Sequence, residues 1–207
     1  ILGYLPFLVY MDSFRYPLAG EIALRRDLAM AIRVPSDWGL EVGTLAEVYR
    51  NMALNRICQV DIADFYEHKH QPLSPDNPQR GVLKMTIDIA KSIFRNLALE
   101  GVQFSEGFFK TLGNIYLKEA QEAVIRYEND AAINGLNFDR HSEMLCVEAF
   151  AEGIQIAGEV FWKDPSASPL IPNWHRVTAA IPDFFERLIK VVYDDNPPRK
   201  KILIQMK

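Results

Sequence analysis

A regular apolar stripe in the second half of the sequence constrains the fold more than any other feature. Apolar side chains recur there at intervals of four, three, four and three residues: Leu83, Ile87, Ala90, Phe94 and Leu97. This spacing places all five on one face of a helix, and such a face is stable when it packs against another element. Gly101 predicts where this helix ends.

Three more helices are predicted after this stripe. One contains Phe109 to Ala123 with Ser105 as a possible N-cap, another spans about 142–160, and the last begins at Pro182. We expect the last helix to bury Phe185, Leu188, Ile189 and Val192. The rest of the chain is too small to cover this many apolar helix faces. The sequence therefore predicts a helical subdomain and a homodimer.

Composition excludes several classes of protein. The 207 residues are 49% apolar, which is enough for a packed core and excludes gross disorder. The net charge is −4, whereas nucleic-acid-binding domains are typically basic. No apolar run approaches the roughly 20 residues of a membrane span. The two cysteines, Cys58 and Cys146, cannot build a disulfide scaffold and suit a reducing, cytoplasmic compartment.

Residues 1–76 have a different pattern, with frequent glycine and proline and short predicted elements. A turn at 17–21 leads into a helix over 22–31, residues 34–39 break that helix, and a second helix spans 41–54. Cys58, Val60 and Ile62 alternate with polar residues, which predicts a strand. The predicted fold class is therefore α/β, with a few strands in residues 1–76 and a helical subdomain over 77–207.

A group of titratable residues lies just before Pro72, at Tyr66-Glu67-His68-Lys69-His70. On an extended segment His68 and His70 point to the same side and can share a metal ion. On an irregular loop, one histidine can still complete a metal site whose other ligands lie elsewhere. Because short histidine motifs have high false-positive rates, spacing alone favours a solvated loop.

A second group is Asp37-Trp38-Gly39-Leu40-Glu41-Val42-Gly43, in which two glycines flank one carboxylate. Glycine lets the backbone approach a ligand closely. Glu41 is predicted at a helix N-terminus, where the positive end of the helix dipole stabilises a carboxylate. The residues leave two interpretations open, because Asp37 or Glu41 can equally be a capping residue and Trp38 a packing residue.

The turn at 17–21 contains Gly20, at which a positive φ is a possible requirement, and Glu21 as a first-turn helix acid. By itself it is an ordinary turn. Arg25, Arg26 and Arg33 follow it and can bind an anion, although ordinary surface charge explains at least two of the three better.

Taken together and in order, three segments resemble one enzyme family. They are Pro17-Leu18-Ala19-Gly20-Glu21, then the Asp37 to Gly43 group, then Gln59-Val60 leading to Glu67-His68-Lys69-His70-Gln71-Pro72-Leu73. They resemble the glucosyl-3-phosphoglycerate synthases, which, with the related mannosyl-3-phosphoglycerate synthases, are retaining glycosyltransferases of the GT-A fold. The resemblance is good over residues 14–75 and weaker over the helical remainder.

The resemblance implies that a sugar passes from a nucleotide diphosphate sugar to the 2-hydroxyl of 3-phosphoglycerate, with Mg²⁺ or Mn²⁺ holding the diphosphate. It implies that His68 is a metal ligand and that the catalytic carboxylate is Glu41, beside donor and acceptor. The resemblance also implies that Trp38 and Gly39 belong to the sugar pocket and Gly20 to its wall. It implies that His70 contacts the acceptor, at a position where familiar members carry asparagine.

These residue types suit the implied reaction. A departing diphosphate needs its charge neutralised, which a divalent metal does as a Lewis acid, and imidazole joins carboxylates in Mg- or Mn-type sites. The developing oxocarbenium ion is positive, so a nearby carboxylate such as Glu41 stabilises it.

The sequence begins at Ile1 without methionine, and we expect a fragment. The resemblance implies that the nucleotide-binding half, with an Asp-x-Asp motif, precedes residue 1 and that this chain alone has little or no activity. Transfer of mannose from GDP-mannose remains the nearest rival. A non-catalytic helical oligomerisation module is the rival from another class, and a metal-dependent hydrolase is less favoured because no full ligand set is visible.

Overall fold

A computed structural model describes residues 3–63, 71–166 and 170–196, and helices dominate these ranges. The helices are α1 (Pro6–Asp12), α2 (Arg26–Ala31), α3 (Leu40–Asn51), α4 (Gly81–Leu99), α5 (Glu106–Ile133), α6 (Arg140–Lys163), α7 (Trp174–Ala180) and α8 (Phe184–Asp195). Strands β1 (Val34–Pro35) and β2 (Leu170–Ile171) pair antiparallel, with Val34 opposite Ile171. The mostly helical chain with a small sheet agrees with the predicted α/β class at that coarse level.

The main core lies among the three long helices α4, α5 and α6. The predicted stripe of α4 is buried, and Phe94 packs its ring against Phe109 of α5 and Phe161 of α6, with ring centroids 4.9 and 6.1 Å away. Edge-to-face aromatic pairs of this kind add to the hydrophobic gain of burying the rings. The structure confirms the helices predicted around Leu83–Leu97, Phe109–Ala123 and 142–160, and Gly101 adopts a φ of +89° just after α4.

The contact between α5 and α6 depends on the absence of a side chain at Gly158. A Cβ built on Gly158 would overlap the ring of Phe109, which is itself buried. We expect Gly158→Ala to lower the free energy of unfolding by about 1–2 kcal/mol, because overpacking outweighs the better helix propensity of alanine. Urea denaturation measures this change.

Gly107→Ala is the matched control, since a Cβ at Gly107 in α5 meets nothing within 4 Å. This variant should be neutral or slightly stabilising. Equal effects of the two substitutions would show that Gly158 is not a close-packing position.

Helix α3 joins this bundle to the N-terminal elements. Ala46 of α3 and Leu97 of α4 are buried with Phe7 and Tyr10 of α1. The Tyr10 hydroxyl is buried without a hydrogen-bond partner among the described residues, and burial raises its pKa to about 12. Because Ala46 of α3 and Leu97 of α4 share one buried cluster, α3 is held against the long helix α4.

The strand predicted at 58–62 is absent from the described residues, where this segment has no regular structure. Its apolar side chains face solvent, with Val60 75% and Ile62 61% exposed. Side-chain interactions hold the segment instead, because Arg15 pairs with Asp61 at 3.1 Å and its backbone N–H donates to Gln59. An alternating pattern leads to a strand only where a neighbouring strand can pair with it and a core can cover its apolar side chains.

Three further expectations are corrected. The helix predicted over 22–31 forms only at Arg26–Ala31. Gly20 does not have a positive φ, so its turn needs no glycine for that reason. Ser105 occupies the N-cap of α5, but its side chain makes no capping hydrogen bond.

The apolar face predicted to be buried on the last helix is largely exposed in α8. Leu188 is 38%, Ile189 65% and Val192 53% exposed, whereas Phe185 stacks on Trp174 of α7 with ring centroids 5.2 Å apart. The spacing predicted an amphipathic helix correctly. Within the described residues, however, only the N-terminal end of its apolar face is covered.

The helices in the described part of the chain include none that is long and apolar enough to cross a membrane.

Candidate functional site

The loop that precedes α3 brings three of the predicted site residues together. Trp38 and Gly39 lie directly before α3, and Glu41 is the second residue of that helix. The first-turn N–H groups and the positive end of the helix dipole favour a carboxylate at this position. Glu41 is half-buried, whereas Trp38 is 42% exposed. An apolar ring and a carboxylate therefore lie at one loop–helix junction, next to solvent.

Short-range contacts fix the conformation of this loop. The Gly39 N–H donates to Asp37 Oδ1 at 3.0 Å, which is the local turn that aspartate commonly forms. The N-cap residue of α3 is Gly39, so Asp37 lies two residues before the cap and is not itself the capping residue. One carboxylate oxygen of Asp37 is thus used to hold the backbone of Trp38 and Gly39 and is not free for a ligand.

Gly39 is also pressed against α4. A Cβ at Gly39 would lie 2.7 Å from Ser92 Cβ, closer than real Cβ atoms approach, so a larger residue requires something to move. The Ser92 hydroxyl donates to the Gly39 carbonyl oxygen at 3.4 Å. The absence of a side chain at Gly39 permits this close backbone approach to the neighbouring helix α4.

A buried charge network on α4 supports the same loop. Asp88 is 2% exposed, and its carboxylate oxygens lie 2.6 Å from Lys84 Nζ and 2.9 Å from Lys91 Nζ. Lys91 Nζ lies 3.8 Å from Asp37 Oδ2 as well. The network therefore links the centre of α4 to the loop that carries Trp38.

Sequence reasoning missed this network. A charged residue beside an apolar stripe is ordinarily assigned to the solvent face. The signal was present in the spacing, because lysines four residues before and three residues after Asp88 lie on the same helix face.

The remaining predicted site residues are not placed together by the described structure. Gly20 is exposed in the loop between α1 and α2, and a Cβ built there would meet nothing within 4 Å. His68 and His70 lie outside the described residues. Among the residues that are described, no group of three or more His, Cys, Asp or Glu side chains can hold a metal ion.

Two curated proteins match nearly the whole chain. A protein named glucosyl-3-phosphoglycerate synthase from Persephonella marina is 50% identical over 196 residues, which are 95% of this chain and 48% of that protein. A protein of the same name from Methanococcoides burtonii is 43% identical over 188 residues, which are 90% of this chain and 46% of that protein. The chain is a homologue of the glucosyl-3-phosphoglycerate synthases.

The match confirms the resemblance to the glucosyl-3-phosphoglycerate synthases and covers almost all of the chain, including the helical part where the resemblance was weaker. The chain spans about half the length of the curated relatives it matches. No family profile matches it. No solved structure matches it either.

Proposed function

We propose that a polypeptide containing this chain transfers glucose from a nucleotide diphosphate sugar to 3-phosphoglycerate, with retention, as a glycosyltransferase of the GT-A fold. The names of two relatives, 50% and 43% identical to it, carry this proposal. The loop–helix junction of Trp38 and Glu41 supports it, since it combines an aromatic ring with a carboxylate in the first turn of a helix.

Glu41 is proposed as the catalytic carboxylate. Positive charge develops on the sugar ring as the bond to diphosphate breaks, and a fixed carboxylate beside the ring stabilises that charge. Trp38 lies three residues before Glu41 at the loop–helix junction, and its exposed ring offers an apolar surface for a sugar. We place Gly39 in the same sugar pocket and Gly20 in its wall.

Retention does not require a protein nucleophile. The acceptor hydroxyl can attack from the face that the diphosphate leaves, and the departing phosphate oxygen then takes the hydroxyl proton. Glu41 in this scheme stabilises charge and forms no covalent bond. Trapping a covalent glycosyl–Glu41 adduct would refute the scheme.

We propose a divalent metal, Mg²⁺ or Mn²⁺, with His68 as one ligand and His70 contacting the acceptor. The described residues do not fit a metal site by themselves, because they hold no cluster of ligating side chains. The remaining ligands would come from outside the described residues, and no step of the scheme above is assigned to the ion.

The proposed organisation assigns residues 1–76 to the acceptor and metal side of the catalytic domain and 77–207 to a helical, dimer-forming subdomain. The exposed apolar residues of α8 support a homodimer, and a cytoplasmic location fits two free cysteines. Light scattering that shows a monomer at micromolar concentration would contradict the dimer.

An activity screen tests the function. The 207-residue chain, and a polypeptide of the relatives' full length that carries it, are incubated with UDP-, ADP- or GDP-glucose or GDP-mannose and with 3-phosphoglycerate or glycerate. We expect the longer protein to form a glucosylated phosphoglycerate with the donor's anomeric configuration, detected by mass spectrometry and NMR. A preference for GDP-mannose would favour the rival mannosyl enzyme, and no transfer from any donor would refute the proposal.

Glu41→Gln in the active protein should lower kcat about 100-fold, because the neutral amide keeps the size of the side chain but loses the charge that faces the oxocarbenium ion. Initial rates at saturating donor and acceptor measure this. Glu119→Gln, an exposed position on α5, is the control and should keep full activity. Equal kcat values for the two variants would remove Glu41 from the catalytic role.

A further inference from the structure

A cavity of about 270 Å³ lies between α3, α4 and the two-stranded sheet, and three arginines line it. Arg33 comes from the segment before β1, Arg50 from α3 and Arg95 from α4. Glu47 is the one carboxylate in its lining, and the other lining residues are uncharged: Pro35, Gly43, Ser92, Asn96, Leu99 and Leu170. Trp38, Gly39 and Glu41 do not line it, so this cavity is distinct from the junction described above.

The charges around the cavity do not cancel. Arg50 pairs with Glu47 at 3.3 Å and with Glu100 at 3.5 Å, and it donates to Asn96 at 2.6 Å, so Arg50 is already neutralised. Within the described ranges the guanidinium groups of Arg33 and Arg95 have no carboxylate within 4 Å. Arg95 uses only its Nε, in a 3.5 Å hydrogen bond to the Pro165 carbonyl oxygen.

The polar groups between these arginines are also committed. The Asn96 side-chain amide donates to the Ser92 carbonyl oxygen at 2.8 Å, and the Ser92 hydroxyl donates to Gly39. The Glu47 carboxylate accepts from the Arg33 backbone N–H at 3.3 Å. The donors left for a ligand are the guanidinium N–H groups of Arg33 and Arg95, which match the oxygen atoms of a phosphate.

We propose that this cavity binds a small phosphorylated molecule through Arg33 and Arg95. Its volume is slightly below that of pockets for drug-sized ligands, which suits a phosphate carried by a few carbon atoms. Ser92 lines the cavity and also contacts Gly39. Ser92 therefore separates the proposed ligand from the loop that holds Trp38. The proposal does not depend on glucosyl transfer, because binding can be measured without turnover.

Isothermal titration calorimetry of the 207-residue protein tests the site with three probes: inorganic phosphate, 3-phosphoglycerate and glycerate. We expect saturable binding of the two phosphate-bearing probes that weakens with added NaCl, and no binding of glycerate. Tighter binding of 3-phosphoglycerate than of phosphate identifies a phosphorylated acid as the ligand, whereas equal affinities identify the phosphate group alone. Absence of saturable phosphate binding overturns the proposal.

Arg33→Gln and Arg95→Gln should each weaken phosphate binding at least tenfold. Arg26→Gln, at an exposed position in α2 outside the cavity, should leave it unchanged. Circular dichroism confirms that each variant is folded. If folded Arg33→Gln and Arg95→Gln bind phosphate as tightly as Arg26→Gln, the anion binds elsewhere and the assignment is wrong.

Discussion

Replacing Asp88 by alanine is expected to lower the free energy of unfolding by about 3 kcal/mol. The substitution leaves Lys91, whose side chain is 15% exposed, beside an empty space where its nearest carboxylate was. Removing one partner of a buried ion pair typically costs about 3–5 kcal/mol. The lower end applies here because Lys84 is 34% exposed and can turn toward water.

Urea denaturation followed by circular dichroism measures this change, with an unaltered m-value as the sign that stability alone is affected. Glu122→Ala is the matched control, because Glu122 makes an exposed i,i+4 pair with Lys118 at 3.9 Å. Such pairs contribute less than about 0.5 kcal/mol. Asp88→Asn should fall between the two variants, since the amide keeps one acceptor for a lysine. Similar losses for Asp88→Ala and Glu122→Ala would show that the network contributes little.

The second large effect is expected at His68. Substituting alanine should abolish metal-dependent transfer, with a loss of at least about 10³-fold, because the proposed metal site would lose an imidazole ligand and would bind its ion weakly. Activity is measured across a series of Mn²⁺ and Mg²⁺ concentrations. EDTA should abolish activity of the unaltered protein, and excess Mn²⁺ should restore it.

Two further variants separate the histidine roles. His141→Ala, exposed at the start of α6, should have no effect. His70→Ala should raise the KM for 3-phosphoglycerate while metal affinity, followed by Mn²⁺ electron paramagnetic resonance, stays unchanged. An unaltered Mn²⁺ affinity and full activity in His68→Ala would exclude His68 as a ligand.

The long helices were predictable because each has one apolar stripe that the bundle buries. The Leu83–Leu97 stripe is an example, in which the helical period and the burial coincide. The segment at 58–62 failed for the opposite reason, since an alternating pattern does not contain its own hydrogen-bonding partner. In α8, the period predicted the helix correctly but could not say whether the described chain covers the face.

The site was predictable only in part. The position of Glu41 followed from its place before a helical stripe, and the structure confirms it in the first turn of α3. The role of Gly39 did not follow, because its close neighbour Ser92 is 53 residues away along the chain. Long-range packing of this kind leaves no local pattern. The spacing of Lys84, Asp88 and Lys91 on α4 indicates that these side chains can pair. It does not indicate that Lys91 also approaches Asp37, which lies on a different element.

The contact between Gly39 and Ser92 has a consequence for how this protein can change over time. Any side chain acquired at position 39 collides with position 92 unless the latter first becomes smaller. We expect these two positions to show strong epistasis, in which Ser92→Gly makes Gly39→Ala tolerable although Gly39→Ala alone is not. Evolutionary routes that remodel the loop before α3 would therefore begin on α4.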